Sequence, residues 1–217
     1  MPTQPIEAVI FDMDGVLADS EPLYYLSLNQ VLQSHGHSLT DEDNRAILGT
    51  TVEHTWGWLK ERFRLDGRLE DWIGVYDEVI LRNLKEKVEP SPGLYALLDA
   101  LQARDLPIGL ASSSQANWVD AVLTTLDVKE RFRVVISGDM VTNGKPAPEI
   151  FLKAAGELGA EPTRCLVFED SPHGIQGAKA AGMTVVAVLT PLTRDLDLSP
   201  ADHRIESLAD FDLALLE

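Results

Sequence analysis

Cysteine is nearly absent from this chain. Cys165 stands alone, so no disulfide can form within it. It sits in the apolar run Cys165-Leu-Val-Phe168 and reads as a small buried hydrophobe, not a nucleophile. Basic residues are scarce as well: 18 Lys and Arg stand against 35 Asp and Glu, a formal net charge of −17 over 217 residues. That deficit argues against nucleic acid, whose phosphates demand Lys and Arg patches, and against an anionic membrane surface. It does not exclude a small phosphorylated ligand, because one local cation site overrides the overall field. No apolar run approaches the ~20 residues needed to span a bilayer. The start, Met1-Pro-Thr-Gln-Pro5, has neither the basic nor the apolar region of a secretory leader. The expectation is a reduced, cytoplasmic protein without internal repeats or low-complexity segments.

What is present is organised around Ile6-Glu-Ala-Val-Ile-Phe-Asp-Met-Asp-Gly15. Val9, Ile10 and Phe11 are β-branched or aromatic and read as a buried strand. Asp12 and Asp14 follow, and Gly15 breaks the extension and lets the chain swing away. Two carboxylates at the carboxyl end of a core strand are unfavourable unless a cation sits between them. Mg²⁺, a hard cation that takes oxygen ligands, answers that need. A strand that merely ends in a solvated acidic turn is the bland alternative.

After a connector, Pro22 opens a helix in an N1-like position with Ser20 as its cap. Leu23, Leu26, Val31 and Leu32 mark its apolar face, and Gly36 stops it. Thr40 starts a helix that runs to Gly49, with acidic residues in its first turn. Further helices fit Val52 to Phe63 and Leu69 to Lys87. Together they form a helical module of about seventy residues with no strand. Trp56, Trp58 and Trp72 supply its core, but residues 56 and 58 cannot share one helix face, so one of them lies near the surface. Val88-Glu-Pro-Ser-Pro-Gly93 reads as the return linker.

From there the rhythm alternates. Helix Leu94–Arg104 precedes strand Ile108–Ser112, and helix Trp118–Leu126 precedes strand Val134–Ser137. Helix Pro148–Leu158 precedes strand Cys165–Phe168, and helix Gly174–Ala181 precedes strand Thr184–Leu189. Apolar runs without alternation indicate strands covered on both faces, hence an α/β fold with a doubly wound parallel sheet. The tail from Thr190 is polar and acidic, with one short strand or helix and no chemical group of note. The expected domains are residues 1–18 with 89–217 as the α/β core, and 19–88 as a helical insert.

Ligands of such sheets sit beyond the carboxyl ends of the strands. There the sequence places Asp12 and Asp14, then Ser112-Ser-Ser114, then Lys145 in Asn143-Gly-Lys-Pro146, then Glu169 and Asp170. Each has an ordinary explanation alone: a helix cap, a loop lysine, an acidic turn. Jointly they suit phosphoryl transfer. A carboxylate can attack phosphorus, Mg²⁺ and Lys145 offset the gathered negative charge, and Ser112 Oγ with nearby loop amides suits the phosphate oxygens.

Asp-Met-Asp-Gly15, Ala-Ser112-Ser, Gly-Lys145-Pro-Ala-Pro and Phe-Glu-Asp170-Ser-Pro, in that order and spacing, resemble the four motifs of the haloacid dehalogenase superfamily. The helical insert resembles the small cap of its β-phosphoglucomutase-like and phosphatase branch. The resemblance implies Asp12 as nucleophile and Asp14 as acid and then base, its backbone carbonyl also reaching Mg²⁺. It implies Ser112, with Ser113, and Lys145 as holders of the transferring phosphoryl group, Lys145 also steadying Asp12. Asp170 would ligate Mg²⁺ directly, and Glu169 directly or through water. The acid/base Asp14 separates the chain from true dehalogenases.

The resembling mutases carry a cap histidine, a cap arginine and a Lys-Asn pair, where this chain has Tyr24, Val52 and Gln115-Ala116. Val52 cannot grip a second phosphate, although Arg45 or Lys60 could substitute. The expectation is therefore a Mg²⁺-dependent phosphatase of a small phosphorylated metabolite, most plausibly a sugar phosphate, acting as a monomer. A phosphosugar mutase is the alternative, and a non-catalytic phosphate-binding module a more distant one. Glu21, Tyr24, Gly49, Thr50 and Thr51 are the candidate specificity residues of the cap, against ordinary helix termination and packing. His173 could touch substrate or be a plain loop histidine.

Overall fold

The computed structural model describes residues 5–47 and 51–217. Gly49 and Thr50 lie outside the described residues, as does the side chain of Arg45. The rest falls into two compact units, one from the residues up to Asp19 and from Glu89 onward, the other Ser20–Val88.

The first unit carries strands β1 (Ala8–Phe11), β2 (Ile108–Ala111), β3 (Val134–Ile136), β4 (Cys165–Glu169), β5 (Thr184–Val188) and β6 (His203–Ile205). They pair in parallel in the order β3-β2-β1-β4-β5-β6. β1, β2 and β4 are buried at every residue, as their unbroken apolar runs require. The order reverses between β1 and β4, the position at which open α/β sheets bind their ligands. The tail supplies β6, which extends the sheet beside β5.

Helices cover both faces of the sheet. On one face Ala8, Ile10, Val167 and Val185 pack with Ile150, Phe151 and Ala154 of a helix at Glu149–Leu158 and with Ile175 and Ala178 of a helix at Pro172–Ala180. Residues of opposite parity point the other way. There Phe11 stacks on Phe168 at 4.9 Å between centroids, and Phe211 meets Phe168 edge-on at 4.8 Å. Helices Leu94–Gln102 and Ala116–Thr125 complete this unit.

Among the described residues the second unit holds four helices, α1 (Glu21–Gln33), α2 (Asp41–Ile47), α3 (Val52–Phe63) and α4 (Leu69–Lys87). Ser20 stands at the N-cap position of α1, but its side chain makes no capping bond there. α1 ends at Gln33, and Gly36 takes a left-handed turn just beyond. Trp56 is fully buried, stacked on Trp72 at 5.6 Å and tilted against Tyr76 at 5.7 Å, whereas Trp58 is half-buried. The helix period separates the two tryptophans as expected. The buried Asn83 on α4 donates to Ser27 Oγ and Gln30 Oε1 on α1, tying the two longest helices of the unit together. Among the described residues, no helix is long and apolar enough to cross a membrane.

Candidate active site

Asp12 follows β1 directly, and its amide bonds Phe168 O at 2.9 Å, so the ladder fixes it beside β4. Glu169 ends β4 and Asp170 follows. The three side chains are buried, and one carboxylate oxygen from each lies within 4.8 Å of the others. Lys145, on the loop before the Glu149–Leu158 helix, reaches between two of them. Its Nζ donates to Asp12 Oδ1 at 2.5 Å and Glu169 Oε1 at 2.6 Å, with only 6% of its side chain exposed. Burial alone disfavours its ammonium, but the two carboxylates more than offset this and raise its pKa. Burial pushes Asp12 up to about 8; Lys145 opposes that shift, while Glu169 and Asp14 add to it.

Glu169 is held at both oxygens. Its Oε2 accepts from the amides of Asp170 and Ser171 at 2.9 and 2.8 Å and from Ser171 Oγ at 3.0 Å. Ser171 Oγ in turn accepts from Gly174 N, capping the Pro172–Ala180 helix. A Cβ on Gly174 would fall 1.6 Å from Glu169 Oε1, so a side chain there would expel the carboxylate.

Asp14 sits in a tight turn in which the amides of Val16, Leu17 and Ala18 gather on Met13 O. Its side chain is not part of the acidic triad. Oδ2 accepts from Ser114 Oγ at 2.9 Å. Gly15 takes φ +76° and turns the chain out of the sheet.

Ser112 is fully buried at the end of β2, and its amide bonds Ile136 O. Its Oγ accepts from Ser114 N at 3.0 Å, and a hydroxyl that accepts one bond still has a hydrogen to donate. Ser113 is exposed, and its carbonyl packs where Gly138 leaves no room for a Cβ, which would sit 2.2 Å away. Gln115 is the N-cap of the Ala116–Thr125 helix.

Thr190 and Thr193 join the site from the tail, where the sequence offered no chemical group. Their hydroxyls are 2.8 Å apart, and each lies 3.5 Å from Asp170 Oδ2. Ser114 was in view as the third of three serines, but nothing local says which way it faces. For the threonines no local signal exists, because β5 alone brings them to Asp170.

The other candidates sit on helices or at their ends. Thr51 caps α3 by accepting from His54 N, and Val52 is that helix's first residue. Glu21 and Tyr24 lie half-buried in the first turn of α1. Lys60 Nζ donates to Leu65 O and Gly67 O beyond the end of its own helix. His173 is exposed in the first turn of its helix.

A parallel sheet with acidic ends on β1 and β4, a buried lysine between them and a helical unit inserted after β1 defines the class of haloacid dehalogenase-type α/β proteins. The family model described as haloacid dehalogenase-like hydrolase matches residues 9–188, and the chain belongs to that family. It is 36% identical over 178 residues to a phosphorylated carbohydrates phosphatase of Thermotoga maritima, covering 82% of each chain. It is 33% identical over 183 residues to fructose-1-phosphate phosphatase YqaB of Escherichia coli, covering 83% of this chain and 95% of that one. Among solved structures it is similar to CbbY from Rhodobacter sphaeroides in complex with phosphate. The TM-score is 0.85 at 27% identity, over 97% of this chain and 99% of that one.

Proposed function

We propose that the chain is a Mg²⁺-dependent phosphatase of a small phosphorylated metabolite, a sugar phosphate by preference, working through a phosphorylated Asp12. The observation that supports this most is the buried contact of Lys145 with both Asp12 and Glu169. A lysine placed there shields a carboxylate nucleophile and can also receive a phosphoryl oxygen. The relatives named as phosphatases of phosphorylated carbohydrates and of fructose 1-phosphate point the same way.

The donor set fits the metal. Asp12, Glu169 and Asp170 offer only hard carboxylate oxygens, which suit Mg²⁺ and not a soft ion. These three, with the backbone carbonyl of Asp14, would hold it, and when bound it supplies positive charge against the phosphoryl oxygens.

The chain's own groups then do the rest. A carboxylate oxygen of Asp12 attacks phosphorus, and the bond from phosphorus to the leaving oxygen breaks. Asp14 gives its proton to that oxygen. Ser112, with Ser113 beside it, and Lys145 hold the phosphoryl oxygens. Water then attacks the same phosphorus and loses a proton to Asp14, and the bond to Asp12 breaks. Phosphate and free Asp12 result. We assign choice of leaving group to the helical unit, with Glu21, Tyr24, Gly49, Thr50 and Thr51 as candidates. We place this activity in the cytoplasm, in a monomer.

A panel of sugar phosphates and p-nitrophenyl phosphate, with Mg²⁺ or with EDTA, tests the proposal. Mg²⁺-dependent phosphate release is expected, abolished by Asp12→Asn. No release from any substrate would refute the enzyme reading. Conversion of β-glucose 1-phosphate to glucose 6-phosphate, primed by a bisphosphate and faster than phosphate release, would replace it with a mutase.

A further inference from the structure

We infer that Ser114 is the positioning residue for the acid/base: it orients Asp14 for proton transfer to and from the reacting oxygens. The inference rests on the phosphatase reading above and adds a residue to it.

The contact joins two parts of the chain a hundred residues apart. Ser114 Oγ lies 2.9 Å from Asp14 Oδ2. A carboxylate on a turn has two rotatable bonds, and proton transfer needs it held within hydrogen-bond reach of its target. Ser114 can do the holding because its own backbone is fixed on both sides. Its amide donates to Ser112 Oγ at 3.0 Å, and its carbonyl accepts from Gly138 N at 2.9 Å. The same loop is pressed against Gly138, where a Cβ would fall 2.2 Å from Ser113 O. It is anchored to β3 through Ser112 N and Ile136 O at 3.0 Å. Asp14 belongs to a turn whose amides gather on Met13 O and which Ser91 N ties to the return segment through Leu17 O. The serine loop is thus a fixed support on which the Asp14 side chain can be held.

The residue type fits the task. Asp14 passes between acid and carboxylate once per turnover. A hydroxyl that donates to Oδ2 of Asp14 stays bonded to the carboxylate and to the acid alike, and leaves the other oxygen to carry the proton. Ser112 and Ser114 lie on one loop, so the seat of the phosphoryl group and the proton donor move as one body.

The test uses aryl phosphates that differ in leaving group. Phenolate is a strong base and needs a proton to leave; p-nitrophenolate is a stable anion and needs none. The rate constant kcat/KM reports events through cleavage of the ester, whatever limits the later hydrolysis. Ser114→Ala should lower kcat/KM for phenyl phosphate on the order of tenfold, part of the roughly 10²–10⁴ that a general acid supplies. For p-nitrophenyl phosphate it should stay within about twofold of wild type, since no acid is needed. Ser114→Thr, which keeps the hydroxyl, should restore phenyl phosphate. Should Ser114→Ala melt below the assay temperature, Ser114→Cys, close in size and a weaker donor, carries the same expectation. An equal loss on both substrates, or no loss on either, would overturn the inference while leaving the phosphatase reading intact. A wild-type protein that cleaves neither ester would take down both.

Discussion

A Cβ placed on Gly15 would lie 2.4 Å from Asp170 Oδ2. The glycine that turns the chain out of the sheet therefore also makes room for a proposed metal ligand. Gly15→Ala faces two penalties. The left-handed backbone costs a β-carbon roughly 1–2 kcal/mol, and the Asp170 carboxylate must shift. The expected outcome is a lower melting temperature together with at least about tenfold weaker Mg²⁺ binding by calorimetry, the scale on which displaced ligand support acts. Unchanged metal affinity would separate Gly15 from the site.

Lys145 is the cation that both Asp12 and Glu169 contact. Lys145→Met should destabilise the metal-free protein by about 3–5 kcal/mol, because it leaves the buried Glu169 carboxylate, and Asp12 once ionised, without their cation. Saturating Mg²⁺ should recover part of that loss. Urea unfolding with and without the ion reads both effects.

Asp12 carries a pH signature in the metal-free protein. Burial pushes its carboxyl up to about 8, against an ordinary value of 3.8. Between those limits the folded state binds more protons than the unfolded one, so stability falls as pH rises. The contribution is fully present below the unfolded value and lost as pH climbs through the folded one. Melting temperatures with EDTA should drop across that interval, and Asp12→Asn should flatten the slope.

Thr190 and Thr193 touch Asp170 at the limit of hydrogen bonding. Thr193→Val removes one hydroxyl at nearly constant volume. A bond of that kind contributes roughly 0.5–1.5 kcal/mol, so Mg²⁺ affinity should weaken about two- to tenfold with little change in melting temperature. A fall in melting temperature with intact affinity would make the threonines merely structural.

The sheet and its acidic edge were legible because their signals are local. Val9-Ile-Phe11 and Cys165-Leu-Val-Phe168 are unbroken apolar runs, and each stops at carboxylates that have no place in a core. The convergence of Asp12, Lys145 and Glu169 also followed, since a parallel sheet brings all its strand ends to one edge. The finer contacts did not follow. Ser114 could not be distinguished from Ser113 by type or spacing, because which serine meets Asp14 is set by the loop's packing in the fold. Thr190 and Thr193 sit in a polar tail, and their nearness to Asp170 depends on where β5 lies in the sheet. Ser20 shows the converse error: a good capping residue by type, placed at the N-cap, whose side chain does not cap.

The central claim is that Asp12 carries the phosphoryl group. Acid quenching during turnover of p-nitrophenyl phosphate, followed by mass spectrometry of the peptide containing Asp12, tests it most directly. Phosphate is expected on Asp12, accumulating only with Mg²⁺ and absent in Asp12→Asn. Active enzyme that never carries phosphate on Asp12, or carries it on another residue, would contradict it.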